Sequence, residues 1–324
     1  MYKLAIVGAT GLVGRTVLKI LEEKTLPIYE YVFFSSKKSA GSIITFKNKD
    51  YVVRELKEDS FLKEYFDFAI FSAGAETSKK YAPIASKNGC TVIDNSSAFR
   101  MDKSVPLVVP EVNHEDIQLH KGIIANPNCS TIQAVLPIKA LDNKYNVKRI
   151  IYSTYQSVSG AGRLGIQDLE NKSTNKFPHP IYNNCLPHID TFLENGYTKE
   201  EEKMINETRK ILHKPDLKIT ATCVRVPILN CHCESINLEF EKEFNIEDIY
   251  ITLKDFENIT VLDNTKENLY PIPTEISGKD NVYIGRIRRD FSTKNGLNLW
   301  VVADNVRKGA ATNAIQILEK LILK

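Results

Sequence analysis

Short apolar runs recur along the first 128 residues, and helical or turn segments separate them. Runs of this kind, alternating with helices, indicate parallel strands that are covered on both faces. We predict six strands: Leu4 to Val7, Tyr31 to Phe34, Phe68 to Phe71, Val92 to Ile93, Leu107 to Val109 and Ile123 to Ala125. The pattern therefore predicts an N-terminal α/β domain of the Rossmann type, with a parallel sheet.

The segment after the first apolar run has the period of a helix. Apolar side chains recur there at intervals of three or four residues, and charged residues occupy the other positions. The apolar set is Leu12, Val13, Val17, Leu18 and Leu21. This spacing predicts a first crossover helix with one apolar face.

From about Val147 the chain changes to longer runs in which apolar and polar residues alternate. We predict strands at Lys148 to Val158, Ile219 to Val226, Ser235 to Phe240, Val282 to Ile287 and Leu297 to Val302. Two helical segments interrupt them, Ile166 to Glu170 with its flanks and Glu200 to Leu212. Long alternating strands with few crossovers indicate a second, α+β domain with a mostly antiparallel sheet.

The end of the chain is predicted to form an amphipathic helix, because apolar residues recur there at helical spacing. They are Val306, Ala310, Ala314, Ile317, Leu318 and Leu321. Asp304 or Asn305 precedes them and can cap the helix with its side-chain oxygen.

Composition and charge narrow the class of protein. At roughly 100–200 residues per domain, the 324 residues predict two domains. The net charge is only +3 and no long run of like charge occurs, so we expect no nucleic-acid partner. The six cysteines include no Cys-x-x-Cys pair, which predicts free thiols in a reducing compartment. No stretch approaches the ~20 apolar residues of a membrane span and no signal peptide is visible, so we expect a cytoplasmic protein without a membrane partner.

A glycine turn lies between the first predicted strand and the first helix. Its sequence is Gly8-Ala9-Thr10-Gly11-Leu12-Val13-Gly14. Glycines allow a tight turn and close approach of a pyrophosphate to the backbone, and the helix N-terminus offers free N–H groups. The spacing is not the standard Gly-x-Gly-x-x-Gly, so the strand before it and the helix after it carry the prediction; a turn that serves packing alone is the alternative. We predict cofactor contacts at Gly8, Thr10, Gly11, Leu12 and Val13.

The loop after the second strand predicts which dinucleotide binds. NAD-binding chains usually place an acid there for the ribose 2′-hydroxyl, whereas a 2′-phosphate needs donors or cations. The loop here reads Ser35-Ser36-Lys37-Lys38-Ser39-Ala40-Gly41 and contains no acid. We therefore predict NADP, with contacts at Ser36, Ser39 and Ala40; a merely solvated loop is the alternative.

Cys129 departs from the usual buried structural cysteine. It follows an apolar strand within Asn126 to Thr131 and precedes Ile132 to Lys139, a segment that reads as a helix. A thiol at a helix N-terminus has a lowered pKa, and a thiolate is a good nucleophile toward an acyl carbon. The sequence predicts a catalytic cysteine.

Six motifs, in order along nearly the whole chain, resemble the aspartate-β-semialdehyde dehydrogenase family. They are GATGLVG at 8 to 14, SSAFRM at 96 to 101, NPNCST at 126 to 131, YQSVSGAG at 155 to 162, RVPILNCH at 225 to 232 and DNVRKGAATNA at 304 to 314. The resemblance implies NADPH-dependent reduction of β-aspartyl phosphate to the semialdehyde and phosphate. This reaction lies in the biosynthesis of lysine, diaminopimelate, threonine, methionine and isoleucine. It also implies a homodimer built by the second domain, with a homotetramer as the further possibility.

The resemblance assigns roles that fit the required chemistry. Cys129 would form the acyl-thioester, and His232 would be the acid/base, because an imidazole that titrates near neutrality suits that role. Arg225 would clamp the substrate α-carboxylate through its guanidinium fork. The other implied substrate residues are Gln156 for the substrate or thioester, Glu207 for the ammonium group, and Arg100 with Lys210 for the phosphate.

The resemblance also adds Ser159, Gly160 and Asn305 as cofactor contacts. In the family the last helix packs back on the nucleotide domain. The implied domains are therefore 1–128 plus 305–324 for NADP binding, and 129–304 for catalysis and dimerisation.

Three alternatives remain at this point. N-acetyl-γ-glutamyl-phosphate reductase shares the reaction class, but its substrate lacks a free ammonium group for Glu207. A non-catalytic NADP-binding relative is the second, and retention of nucleophile, base and clamp argues against it. The third alternative is a metal site at Cys231, His232 and Cys233. We do not expect it, because side chains at neighbouring strand positions point to opposite faces of the sheet and cannot easily share one ion.

Overall fold

The computed structural model describes residues 1–323, and it divides the chain into two compact units. The first comprises Met1–Pro127 together with the chain from Ala310 onward, and the second comprises Asn128–Gly309. The family resemblance implies divisions at 128/129 and 304/305. The second division found here lies inside a π-helical segment, Arg307–Thr312.

The first unit is built on a six-stranded sheet in which every pairing is parallel. The strands of this unit are β1 Tyr2–Val7, β2 Ile28–Ser35, β3 Ile43–Phe46, β4 Lys49–Val52, β5 Arg54–Glu55, β6 Phe68–Phe71, β7 Thr91–Asp94 and β8 Ile123–Ala125. The sheet order is β5-β2-β1-β6-β7-β8, and β3 and β4 form a separate hairpin. The helices are α1 Leu12–Glu23, α2 Ala75–Lys87 and α3 Pro110–Asn113, then a 3-10 turn at His114–Leu119 and the last helix at Asn313–Ile322.

The structure corrects three details of the predicted first domain. Leu107–Val109 is not a strand: it makes one bridge, from Leu107 to Ala125, because Pro106 and Pro110 bracket the run and lack N–H donors. The hairpin and the short edge strand β5 were not predicted. Leu12 does not share the buried face of α1, since it is the first helical residue and is 39% exposed.

The second unit is built on a mixed sheet of order β10-β9-β11-β14-β13-β12. Its strands are β9 Val147–Gln156, β10 Lys218–Arg225, β11 His232–Phe240, β12 Ile259–Val261, β13 Val282–Asp290 and β14 Gly296–Ala303. The three central pairings are antiparallel, whereas the pairing at each edge is parallel. The predicted class, a parallel-sheet α/β domain followed by a mostly antiparallel α+β domain, is confirmed.

The second unit also contains five helices. They are α4 Cys129–Tyr145, α5 Gly162–Asn171, α6 Lys199–Ile211, α7 Ile246–Lys254 and α8 Pro273–Ile276, with 3-10 turns at Val158–Ala161 and Thr265–Glu267; the last helix of the chain is α9. Helix α4 is buried over most of its surface because it packs against β9, β11 and β14 and also against α6 and α7. Within residues 1–323, none of these helices combines the length and apolarity needed to cross a bilayer.

Candidate active site

Three predicted residues lie in one row across the second sheet. Arg225 on β10 pairs with Gln156 on β9, and Gln156 pairs with His232 on β11. Residues paired directly across neighbouring strands project on the same face of the sheet, and all three side chains are buried. Sheet register therefore brings together three residues from distant parts of the chain.

Cys129 stands at the first position of α4, next to this row. Its sulfur lies 3.2 Å from Nε2 of His232. The preceding residue, Asn128, caps the helix by accepting hydrogen bonds from the backbone N–H groups of Ser130 and Thr131, at 3.0 and 3.3 Å. A Cβ on Gly309 would lie 2.9 Å from Cβ of Cys129, so the glycine makes room for the cysteine. The helix terminus favours negative charge on the sulfur.

The hydrogen bonds of His232 fix which ring nitrogen carries the proton. The backbone N–H of Ser157 donates to Nδ1 at 3.1 Å, so in the neutral ring the proton sits on Nε2, facing Cys129. Complete burial, and secondarily the charge of Arg225, lower the pKa of His232 to about 3. The imidazole is thus neutral at pH 7, whereas the sequence predicts a group that titrates near neutrality.

Arg225 is a buried cation with hydrogen-bonding capacity to spare. Its Nη1 donates to the backbone carbonyl of Ser157 at 2.7 Å, while its Nε has no hydrogen-bond partner among residues 1–323. Burial lowers its pKa, and the charge of Glu200 opposes that effect. A buried guanidinium with an unsatisfied donor is suited to bind a carboxylate.

Two carboxylates of α6 accept hydrogen bonds from Asn128, the residue before Cys129. Oε2 of Glu207 accepts a hydrogen bond from the backbone N–H of Asn128 at 2.6 Å. Oε1 of Glu200 accepts from the side-chain amides of Asn128 at 3.0 Å and of Gln156 at 3.2 Å. Lys210 lies one helical turn after Glu207 and is half-buried. Glu200 was not among the predicted site residues, because three successive acidic residues at the start of a helix usually indicate a solvent-exposed first turn.

The implied nicotinamide contacts lie beside the same row. Oδ1 of Asn305 accepts hydrogen bonds from the hydroxyls of Ser157 and Ser159, at 3.1 and 3.2 Å. A Cβ on Gly160 would lie 2.9 Å from Nη1 of Arg225 and 3.1 Å from Cε1 of His232. A side chain at this position would require one or both groups to shift.

The glycine turn of the first unit has the predicted context, since β1 ends at Val7 and α1 begins at Leu12. Gly8 has φ of +86°, and a Cβ there would lie 2.7 Å from the carbonyl oxygen of Ser72. A Cβ on Gly14 would lie 2.2 Å from the Gly8 carbonyl oxygen. The hydroxyls of Thr10 and Ser35 are 2.7 Å apart, which ties the turn to the end of β2. The backbone is therefore shaped as a pyrophosphate-binding turn requires.

The loop after β2 and Arg100 belong to the same unit. Ser36, Lys37 and Lys38 are exposed, and the backbone N–H groups of Ser39 and Ala40 donate to the Ser36 carbonyl. Arg100 is buried. Its guanidinium donates to the backbone carbonyls of Asn126 at 2.9 Å and Asn95 at 3.1 Å.

The two cysteines beside His232 pack away from it. Cys231 and Cys233 are buried in an apolar cluster with Ile276 and Val302. Within the part of the chain that the structure describes, no group of three His, Cys, Asp or Glu side chains could hold a metal ion.

Comparisons with known proteins agree across the whole chain. Residues 3–120 match the model for the semialdehyde dehydrogenase NAD binding domain, and residues 138–308 match that for the semialdehyde dehydrogenase dimerisation domain. An aspartate-semialdehyde dehydrogenase of Aquifex aeolicus is 53% identical, over 99% of this chain and 98% of its own. One from Campylobacter jejuni is 48% identical, over 98% and 96%.

Solved structures are similar to both units. Aspartate semialdehyde dehydrogenase II from Vibrio cholerae, complexed with ASA, superposes with a TM-score of 0.96 at 43% identity, over 100% of this chain and 99% of that one. The Candida albicans enzyme with NADP superposes with a TM-score of 0.80 at 26% identity, over 99% and 98%. The match to the NAD binding domain model and the NADP in the Candida albicans structure together support a nicotinamide cofactor for this fold.

Proposed function

Because this chain belongs to the aspartate-semialdehyde dehydrogenase family, we propose that it reduces L-β-aspartyl phosphate to L-aspartate 4-semialdehyde and phosphate, reversibly and through a Cys129 thioester. The observation that carries the proposal is the approach of the Cys129 sulfur to within 3.2 Å of Nε2 of His232, in the row that also holds Arg225.

Cys129 carries the covalent steps. Its thiolate attacks the acyl carbon, an S–C bond forms, and the C–O bond to phosphate breaks as phosphate leaves with the electron pair. NADPH, when bound, supplies the hydride that reduces the thioester carbon. The resulting thiohemiacetal collapses when the S–C bond breaks, which releases the aldehyde and regenerates the thiolate. Nε2 of His232 holds the proton that passes between the sulfur and the reacting oxygen.

We assign roles in substrate binding to the remaining predicted residues. Arg225 has the free donor to bind the substrate α-carboxylate, and Gln156 stands between it and His232 to hold the acyl group in register. Glu207 would bind the substrate ammonium group with the carboxylate that also holds the backbone of Asn128. Arg100 and Lys210 are assigned to phosphate as cations.

For the cofactor we propose NADP. Gly8 and Gly14 leave backbone space that a Cβ would fill, which suits a pyrophosphate beside Thr10, Gly11, Leu12 and Val13. The loop Ser36–Ala40 contains hydroxyls and two lysines but no carboxylate that would repel a 2′-phosphate. Ser159, Gly160 and Asn305 would contact the nicotinamide end.

We further propose that the face of the second sheet that carries Tyr155 and Trp300 pairs with a second copy of the chain. The matched family model is a dimerisation domain. The rings of Tyr155 and Trp300 lie 5.6 Å apart on this face, and Tyr155 is 39% exposed. Sedimentation should give a dimer, and Tyr155→Glu should shift it toward monomer; a wild-type monomer at micromolar concentration would reject this surface.

Two measurements test the reaction. Phosphate-dependent NADP reduction should occur with aspartate semialdehyde and not with N-acetylglutamate semialdehyde; the reverse preference would assign the alternative reductase activity. Cys129→Ala should lower turnover by at least about a thousandfold and leave NADPH binding intact, because only the nucleophile is lost. Cys185→Ala, which removes an exposed thiol, is the matched control and should keep full activity.

A further inference from the structure

We propose that Asp168 and Phe177 are positioning residues that set the orientation of the Arg225 guanidinium. The inference rests on the proposed clamp role of Arg225. It concerns the segment between α5 and α6, residues 172–198, which contains no helix and no regular strand. Neither residue touches the reacting atoms in this proposal: they act through the arginine.

Asp168 is a buried carboxylate near the end of α5 that organises the start of this segment. It accepts hydrogen bonds from the hydroxyl of Ser173 at 2.7 Å and from the backbone N–H groups of Asn175 at 2.8 Å, Lys176 at 2.7 Å and Phe177 at 3.1 Å. Four donors on one carboxylate need its ionised form, in which both oxygens accept. Residues 173–177 are therefore folded around a single side chain.

Phe177 is the last of these backbone donors, and its ring lies between α5 and Arg225. A Cβ on Gly165 would lie 3.2 Å from Cζ of the Phe177 ring, so α5 carries a glycine where the ring approaches. On its other side the ring centroid lies 5.9 Å from Cζ of Arg225, within range of a cation–π contact. The ring also packs on Val158, Ile181 and Leu186.

Leu186 fixes the backbone of Arg225 through two hydrogen bonds. Its N–H donates to the Arg225 carbonyl at 2.9 Å, and the Arg225 N–H donates to its carbonyl at 2.8 Å. The arginine is thus held at its backbone by Leu186 and at Nη1 by Ser157, and its Cζ lies over the ring of Phe177. A carboxylate binds best to a guanidinium whose plane is already fixed, because two parallel hydrogen bonds must form together.

The test compares substrates with and without a carboxylate. Phe177→Leu removes the ring and keeps an apolar side chain, and Asp168→Asn removes the charge at nearly constant volume. Each should raise KM for aspartate semialdehyde about five- to twentyfold, in keeping with a lost cation–π contact, and change kcat less than about twofold. Catalytic efficiency with 3-aminopropanal, which lacks the carboxylate, should stay unchanged.

Arg225→Lys separates this inference from the proposed function. If it raises KM selectively, the clamp stands, and Phe177→Leu added to it should have no further effect on KM. If Arg225→Lys raises KM while both positioning variants leave KM unchanged, the positioning role is rejected and the clamp survives. If Arg225→Lys leaves KM unchanged, the clamp itself is rejected, and the positioning role falls with it.

Asp290→Asn is the matched control. Asp290 also organises a turn, by accepting hydrogen bonds from the N–H and hydroxyl of Ser292, but at the opposite end of the sheet. Asp290→Asn should leave KM for aspartate semialdehyde unchanged. Equal losses with both substrates in Phe177→Leu would show a general structural role and overturn the proposal; this variant decides the question even if Asp168→Asn fails to fold.

Discussion

Nε2 of His232 lies 3.2 Å from the sulfur of Cys129, while Nδ1 of the same ring accepts the backbone N–H of Ser157. The hydrogen bond from Ser157 fixes the tautomer of the ring, because a neutral imidazole that accepts at Nδ1 carries its proton on Nε2. His232 therefore presents a donor to the sulfur. Together with the charge of Arg225 and the N-terminus of α4, this donor favours the thiolate.

Two substitutions of His232 should separate support of the thiolate from proton transfer. Glutamine can donate a hydrogen bond to the sulfur but cannot exchange a proton, whereas alanine does neither. We expect turnover to fall about 10²- to 10⁴-fold in both variants. Alkylation of Cys129 by iodoacetamide at pH 7 should slow markedly only in His232→Ala.

This alkylation is best measured in a Cys185→Ala background, which removes the exposed thiol from the signal. The other four cysteines are buried. Identical alkylation rates against pH in wild type and His232→Ala would contradict the assigned hydrogen bond.

Arg225→Lys should raise KM for aspartate semialdehyde about ten- to hundredfold. A lysine keeps the charge but loses the planar fork and the hydrogen bond that Nη1 makes to Ser157. Steady-state kinetics with varied semialdehyde at saturating NADP checks this, and the KM for NADP serves as the internal reference. Unchanged kinetics would reject the clamp.

Glu234→Gln should change how stability depends on pH. Glu234 lies two residues after His232 on β11, is fully buried, and has no hydrogen-bond partner for either oxygen among residues 1–323. Burial, and secondarily the charge of Glu200, raise its pKa well above the ordinary value of 4.5. The folded protein therefore holds a proton that the unfolded chain releases, so the free energy of unfolding falls as pH rises above that ordinary value.

The glutamine cannot ionise and removes this contribution. Between pH 6 and 8 the variant should gain on wild type, by up to about 1.4 kcal/mol per pH unit while Glu234 stays protonated in the folded state. Urea unfolding across this range measures the difference. Glu239→Gln, on the same strand but partly exposed and paired with Lys148, is the control. Parallel pH curves for wild type and Glu234→Gln would refute the prediction.

Ser36→Asp should weaken NADPH binding by about tenfold or more and leave NADH binding unchanged or improved. The new carboxylate would repel a 2′-phosphate and can accept a hydrogen bond from a 2′-hydroxyl. Fluorescence titration of both reduced cofactors on one protein preparation checks this, with NADH as the control. Equal affinity changes for the two cofactors would argue against a 2′-phosphate site at this loop.

The sequence by itself determined features that depend on neighbouring residues. The turn from Gly8 to Gly14 between β1 and α1, the position of Cys129 at a helix N-terminus and the alternation along β9 and β11 all follow from local spacing and local sterics. With the ordered motifs, these were enough to predict both fold classes and the family.

Only the tertiary structure decided the chemistry that arises between distant segments. Cys129 and His232 are 103 residues apart, and the register of β9 against β11 sets the row in which the imidazole lies. Burial, which no local pattern reports, makes the imidazole of His232 neutral and leaves the carboxyl group of Glu234, two residues further along β11, without a hydrogen-bond partner among residues 1–323. The hydrogen bonds of Asp168 were equally unreadable, because a loop without a repeating pattern takes its shape from the groups it packs against.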